Sequence, residues 1–106
     1  MTTLKKIKRL EQYLAGDNTA FDPVLDMTIE KLMRRELNRL LELKTRLNDQ
    51  ITEFERKYSL KSIQFYPKYE RGELGDELDF MEWAATLEMM TNLNQQVALL
   101  EIEPVQ

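Results

Sequence analysis

The sequence predicts an all-α protein: a long antiparallel helical hairpin with a short N-terminal helix, pairing with a second copy into a four-helix-type bundle. Three observations carry that expectation. Only three glycines and three prolines punctuate 106 residues, too few for the many turns of a sandwich or barrel. From Pro23 to about Tyr58 no further glycine or proline occurs, and Leu, Met, Glu, Lys and Arg dominate. Met33, Leu37, Leu40, Lys44, Leu47, Ile51, Phe54 and Tyr58 recur in alternating steps of four and three, the spacing of a heptad seam.

Residues 1–20 read as a short basic amphipathic helix and a turn. Leu4, Ile7, Leu10, Tyr13 and Leu14 recur at helical spacing, with Lys5, Lys6, Lys8 and Arg9 on the opposite face. Gly16 is placed to stop that helix in a left-handed conformation, and Asp17–Asn18 to turn the chain. Residues 21–106 read as the hairpin domain. Asp22 is suited to N-cap a helix and Pro23 to its first position, where the missing N–H costs nothing. That helix, about 23–58, would be roughly 50 Å long at 1.5 Å per residue. Leu25, Leu32, Leu41 and Leu43 flank its seam, a width that asks for a second neighbour, either the first helix or another chain. Glu36 and Lys44 fall inside the apolar sector, as snorkelling rim residues or as a buried device that fixes register. An acidic aromatic connection over 59–78 follows, then a helix over about 79–101 that starts at Asp76 or Asp79. Phe80, Trp83, Leu87, Met90, Asn94 and Val97 form one stripe on it, and Met81, Ala85 and Met89 a separate one. Residues Glu103-Pro104-Val105-Gln106 are expected to fray. A lone hairpin would leave much apolar surface in water, hence the expected homodimer.

Charge is unevenly spread. The net charge is −4, but residues 1–58 carry 12 basic and 10 acidic side chains, and residues 59–106 carry 3 and 9. A mixed scaffold with an acidic, partner-facing end follows from that asymmetry. With no cysteine there is no disulfide frame, thiolate nucleophile or sulfur metal site, which suits a reducing cytoplasm. No apolar run approaches the roughly 18–20 residues of a membrane span, and the basic N-terminus lacks the apolar stretch of a secretory signal.

Residues 62–83 gather most of the aromatics, two glycines and the carboxylates of Glu70, Glu73, Asp76, Glu77, Asp79 and Glu82, opposed only by Lys68 and Arg71. Ser62 can cap a short helical turn there, but Pro67 should interrupt any helix running on through Tyr69. One reading is structural: Asp76 as N-cap with Asp79 three residues on resembles a capping box, and Phe65, Tyr66, Tyr69, Phe80 and Trp83 close the end of the bundle. The other makes the segment an acidic, aromatic-edged surface for a basic partner. The two are compatible. The partner-binding candidates are Phe65, Tyr66, Tyr69, Glu73, Leu74, Asp76 and Asp79, with Met81, Ala85 and Met89 as adaptable apolar surface. No metal or cofactor is expected: Asp76, Asp79 and Glu73 lack EF-hand spacing, and the chain has no histidine.

The run Phe65-Tyr66…Tyr69-Glu70-Arg71-Gly72-Glu73-Leu74-Gly75-Asp76…Asp79-Phe80…Glu82-Trp83 resembles a pattern in small helical antitoxin-like proteins of bacterial and archaeal toxin–antitoxin pairs. The similarity extends from about Pro23 to about Leu100. Pro67 departs from it, where a helix-compatible residue is expected. The resemblance implies a protein that binds and neutralises a cognate basic toxin.

Catalysis has the least support: there is no histidine, cysteine or phosphate-binding glycine loop, and no serine beside a plausible base, so the chain is not expected to be an enzyme. Nucleic-acid binding is a rival, through Lys5, Lys6, Lys8 and Arg9 and through Lys31, Arg34, Arg35 and Arg39 on the back of the long helix. Glu30, Glu42, Asp49 and Glu53 interleave with the second cluster, as on a solvated helix face. A structural or adaptor bundle without a toxin is the other rival.

Overall fold

A computed structural model describes residues 1–16 and 22–101, and among these residues every regular element is a helix. The fold is all-α, in the order α1 (Thr3–Gly16), α2 (Pro23–Tyr58), α3 (Ser62–Glu70) and α4 (Leu78–Leu100). The turn expected at Asp17–Asn18 and the fraying expected at Glu103-Pro104-Val105-Gln106 lie outside the described residues. The chain divides into two compact units, Met1–Lys31 and Leu32–Gln106.

In the first unit, Thr2 opens α1 by accepting the Lys5 amide on its hydroxyl at 3.2 Å. Gly16 is the last residue of α1 and has no left-handed φ, so the expected αL stop is not formed there. Leu4, Ile7 and Tyr13 are more than half exposed, and Leu10 is half-buried. Asp22 caps α2 as its sequence suggests: its Oδ1 accepts the amides of Val24 at 3.0 Å and Leu25 at 3.2 Å.

In the second unit, α2 and α4 form an antiparallel hairpin: Phe54 stacks on Trp83 and Tyr58 packs on Phe80, so residue numbers rise along one helix as they fall along the other. The eight seam residues Met33 to Tyr58 are all half-buried or buried, with Leu47 the most enclosed. Glu36 is a rim residue, bound to Arg39 one turn on at 3.1 Å. Leu43 is half-buried, whereas Leu32 and Leu41 stay exposed; Leu25 is half-buried within the first unit.

Two Schellman motifs turn the chain at the closed end. Ser59 ends α2 at φ 50°, with Ser59 N–H donating to the Arg56 carbonyl and Leu60 N–H to that of Glu55. Gly72 ends α3 at φ 75°, with Gly72 N–H on the Tyr69 carbonyl and Glu73 N–H on that of Lys68. Between them α3 runs through Pro67 to Glu70, where an interruption was expected. The ring removes only the hydrogen bond to the Ile63 carbonyl, on an exposed face, and α3 is anchored by its opposite side.

The core lies where the three helices meet. Phe65, Trp83 and Ala84 are buried, with Phe54, Tyr58, Leu60, Tyr66, Tyr69, Leu74, Phe80 and Leu87 packed against them. Further along α4 the buried residues are Thr86, Leu93 and Val97, while Asn94, expected in the stripe, is exposed. A 3.6-residue turn carries a 3.5-residue repeat gradually off the seam, which brings Leu93 inward in place of Asn94. Thr86 stays satisfied by donating its hydroxyl to the Glu82 carbonyl at 2.8 Å.

Candidate functional site

The aromatic corner is built around the single tryptophan. Trp83 and Phe65 have no solvent exposure and lie parallel, with ring centroids 3.8 Å apart at 6°. Phe54 and Tyr58 stack on Trp83 from α2 at 5.7 and 6.0 Å, and Tyr69 stacks on Phe65 at 5.6 Å. The indole N–H donates to Ser62 Oγ at 3.0 Å, which satisfies the one polar atom such burial would orphan.

Ser62 itself is not the N-cap of α3. Lys61 occupies that position without a side-chain cap, and the Ser62 amide donates instead to Glu55 Oε2 of α2 at 2.8 Å. That backbone hydrogen bond, helped by the Ser62 hydroxyl and the Lys61 charge, holds the Glu55 carboxyl below its ordinary range against partial burial. A carboxylate seven residues upstream thus caps α3, a job the sequence alone assigned to Ser62.

The expected capping box at Asp76 and Asp79 is likewise replaced. Glu77 is the N-cap residue of α4 and makes no side-chain cap, while Asp79 accepts the Lys57 ammonium and the Tyr58 hydroxyl on Oδ2, each at 2.5 Å. Lys57 first and Tyr58 second lower the Asp79 pKa, and both partners are raised in return. Asp79 in the first turn of α4 also suits the helix dipole. Its carboxylate is committed to α2, so Asp79 belongs to the fold rather than to a free acidic surface.

The other candidates divide cleanly. Phe65, proposed at a partner surface, is core and has no surface to offer. Tyr66 is half-buried and donates to Glu88 Oε1 at 2.8 Å, which raises its pKa. Tyr69 and Leu74 are half-buried against the aromatic core. Glu73 is exposed and forked by Arg71 at 3.2 Å through both oxygens, which lowers its pKa. Asp76 and Glu77 are exposed on the loop between the positive-φ glycines and α4. Met81 and Met89 are exposed on α4, and Ala85, also exposed, lines a groove that α4 forms with α2.

An open groove of about 650 Å³ between α2 and α4 is lined by Phe54, Ala85 and Thr86 and by the carboxylates of Asp49, Glu53 and Glu82. Its only local signal is the i, i+4 spacing of Asp49 and Glu53, which a solvated helix face shares.

Lys5, Lys6, Lys8 and Arg9 are exposed on α1, in the first unit with Lys31. Arg34, Arg35 and Arg39 are exposed on α2, where Arg39 is paired with Glu36. Among the described residues no cluster of three or more candidate ligands is positioned to hold a metal ion, and no helix is long and apolar enough to cross a membrane. No family model, curated protein or solved structure matches this chain.

Proposed function

We propose that the chain is a protein–protein interaction module, acting in the cytoplasm as an antitoxin that covers a basic surface of a cognate toxin. The observation that carries this reading is the placement of Asp76 and Glu77, with Glu73 beside them in a surface pair with Arg71. These exposed carboxylates sit on a short loop whose start is locked by the Gly72 Schellman motif and whose base is packed through Leu74 onto a buried aromatic block. A preorganised acidic loop loses little conformational entropy on binding, and its charge steers a basic partner. The groove carboxylates of Asp49, Glu53 and Glu82 continue the same sign of charge. The sequence resemblance supplies the toxin as the class of partner.

The test is a pull-down from the native host at low salt with the tagged full chain, alongside a Glu73→Lys/Asp76→Lys variant. Both positions are solvent-exposed, so the variant should melt within a few degrees of the parent. One stoichiometric basic partner, captured by the parent and lost by the variant, and whose toxicity the parent suppresses, is the expected result. Recovery of the chain alone would favour the structural bundle and reduce the loop to a corner.

A further inference from the structure

The groove of about 650 Å³ between α2 and α4 combines an apolar floor with carboxylates on both sides. Thr86 is buried and Phe54 half-buried, with Ala85 beside them, whereas Asp49 and Glu53 on α2 and Glu82 on α4 are exposed. The Thr86 hydroxyl is engaged by the Glu82 carbonyl at 2.8 Å, so it offers the groove no free donor. Phe54 stacks one ring face on Trp83 at 5.7 Å, and part of its remaining surface borders the groove. Glu53 is answered by Arg56 at 2.6 Å, the pairing of a carboxylate with a guanidinium on the α2 side. Asp49 and Glu82 have no hydrogen-bond or ion-pair partner among the described residues. Two like charges bordering one apolar recess repel each other until a cation lies between them.

We infer that this groove seats an arginine side chain of the basic partner, with its stem on the floor at Phe54 and Ala85 and its guanidinium between Asp49 and Glu82. Charge complementarity selects the occupant: the groove carries one sign of charge, and its two unpaired carboxylates call for a cation. The floor decides which kind of cation. A bare ion has no apolar surface to lay on Phe54 and Ala85, and no cluster of three or more ligands among the described residues is positioned to hold a metal. A long side chain with an apolar stem and a charged head matches both parts of the groove. Arginine suits it better than lysine. Its planar head is more weakly hydrated, stacks on an aromatic ring such as Phe54, and presents donors to two carboxylates at once. Ala85, the smallest side chain of the lining, leaves the space over the floor open. This assignment rests on the reading of a basic partner and deepens it. The loop at Glu73–Glu77 steers the approach, and the groove selects the side chain.

The experiment is a titration of the isotope-labelled full chain, followed by two-dimensional amide NMR at low salt. The probe is a short capped peptide alternating arginine and leucine, taken up to about 1 mM, where even weak contacts register. Peptides with lysine or glutamate in place of arginine are its counterparts. The arginine peptide should shift amides over residues 49–54 and 82–86, the lysine peptide should bind more weakly, and the glutamate peptide should leave the groove unchanged. Asp49→Asn/Glu82→Gln should weaken the arginine peptide at least about tenfold, because it removes two charged acceptors and keeps their shape. Both positions are exposed, so far-UV circular dichroism should retain the parent's helicity. Glu70→Gln/Glu101→Gln makes the same change in net charge at exposed positions outside the groove and should bind as the parent does. Absence of groove shifts overturns the inference, as does an equal loss in both double variants or equal binding of the lysine peptide. Because the probe is a defined peptide, a pull-down that yields no toxin does not decide this outcome. A toxin captured through the loop by a chain whose groove ignores the peptide would overturn this inference alone.

Discussion

Replacing Phe65 by alanine tests the account of the closed end most directly. Phe65 has no exposure, and its ring lies against Trp83, Tyr69 and Phe80 at 3.8, 5.6 and 5.8 Å. Burial of a phenylalanine of about 200 Å² at about 25 cal/mol per Å² gives about 5 kcal/mol, in line with the 3–5 kcal/mol of measured Phe→Ala cores. α3 has nine residues, fewer than the roughly 12–15 an isolated helix needs, so its helicity depends on this ring. At about 4–8 °C per kcal/mol for a chain of this size, the melting temperature should fall by at least about 12 °C. Trp83, the sole tryptophan, reports independently: its emission should shift to the red as α3 loosens and water reaches the indole. Ile63→Ala serves as the reference, on the same helix but 83% exposed, and should change stability by no more than about 0.5 kcal/mol. A loss below about 1 kcal/mol for Phe65→Ala, with Trp83 emission unchanged, would refute the view that the stack holds α3 in place.

Asp79→Asn should lower the melting temperature at pH 7, and the pH profile gives the sign. Because Lys57 and Tyr58 hold the folded Asp79 pKa below its ordinary value, its stabilising effect is fully present above the ordinary aspartate range near pH 4. That effect is lost as pH falls through the lowered folded value, so the melting curves of parent and variant should converge in strong acid. A difference that stays constant from pH 7 to pH 2 would remove Asp79 from the ledger. Lys57 works in the other direction: its raised pKa means a contribution present below the ordinary lysine range and lost as pH rises through the folded value. Ser59→Gly should stabilise the chain by up to about 1 kcal/mol, since φ 50° costs a side chain what glycine avoids. Urea unfolding reads the gain as a higher midpoint at unchanged slope, and a lower midpoint would mean the Ser59 side chain matters more than its backbone.

What was legible in the sequence was the part governed by neighbours within one turn. Asp22-Pro23 marked the start of α2, and the seam from Met33 to Tyr58 marked its buried side, because capping and periodicity are local rules. The closed end followed other rules. Ser62 and Asp79 both carry helix-capping chemistry, and both were diverted by partners about twenty residues away, Trp83 for the first and Lys57 and Tyr58 for the second. Pro67 argued against α3 by propensity. The ring of Phe65 stacked on Trp83, together with the Glu55 cap on the Ser62 amide, outweighs that propensity. The partners that decide it, Trp83 and Glu55, lie well outside one helical turn of Pro67. The same holds for Ser59, a left-handed helix stop where glycine would have been read at once.

The placement of charge on the second unit gives the proposed toxin contact a physical signature. The loop at Glu73–Glu77 is charged and exposed, so its encounter with a basic partner depends on a field that salt screens over about 10 Å at 0.1 M. Raising salt from low to about 0.5 M should therefore release a toxin bound through this loop. Apolar burial is not weakened by salt, so a partner retained at about 0.5 M would be resting on an apolar surface of the chain instead of on these carboxylates.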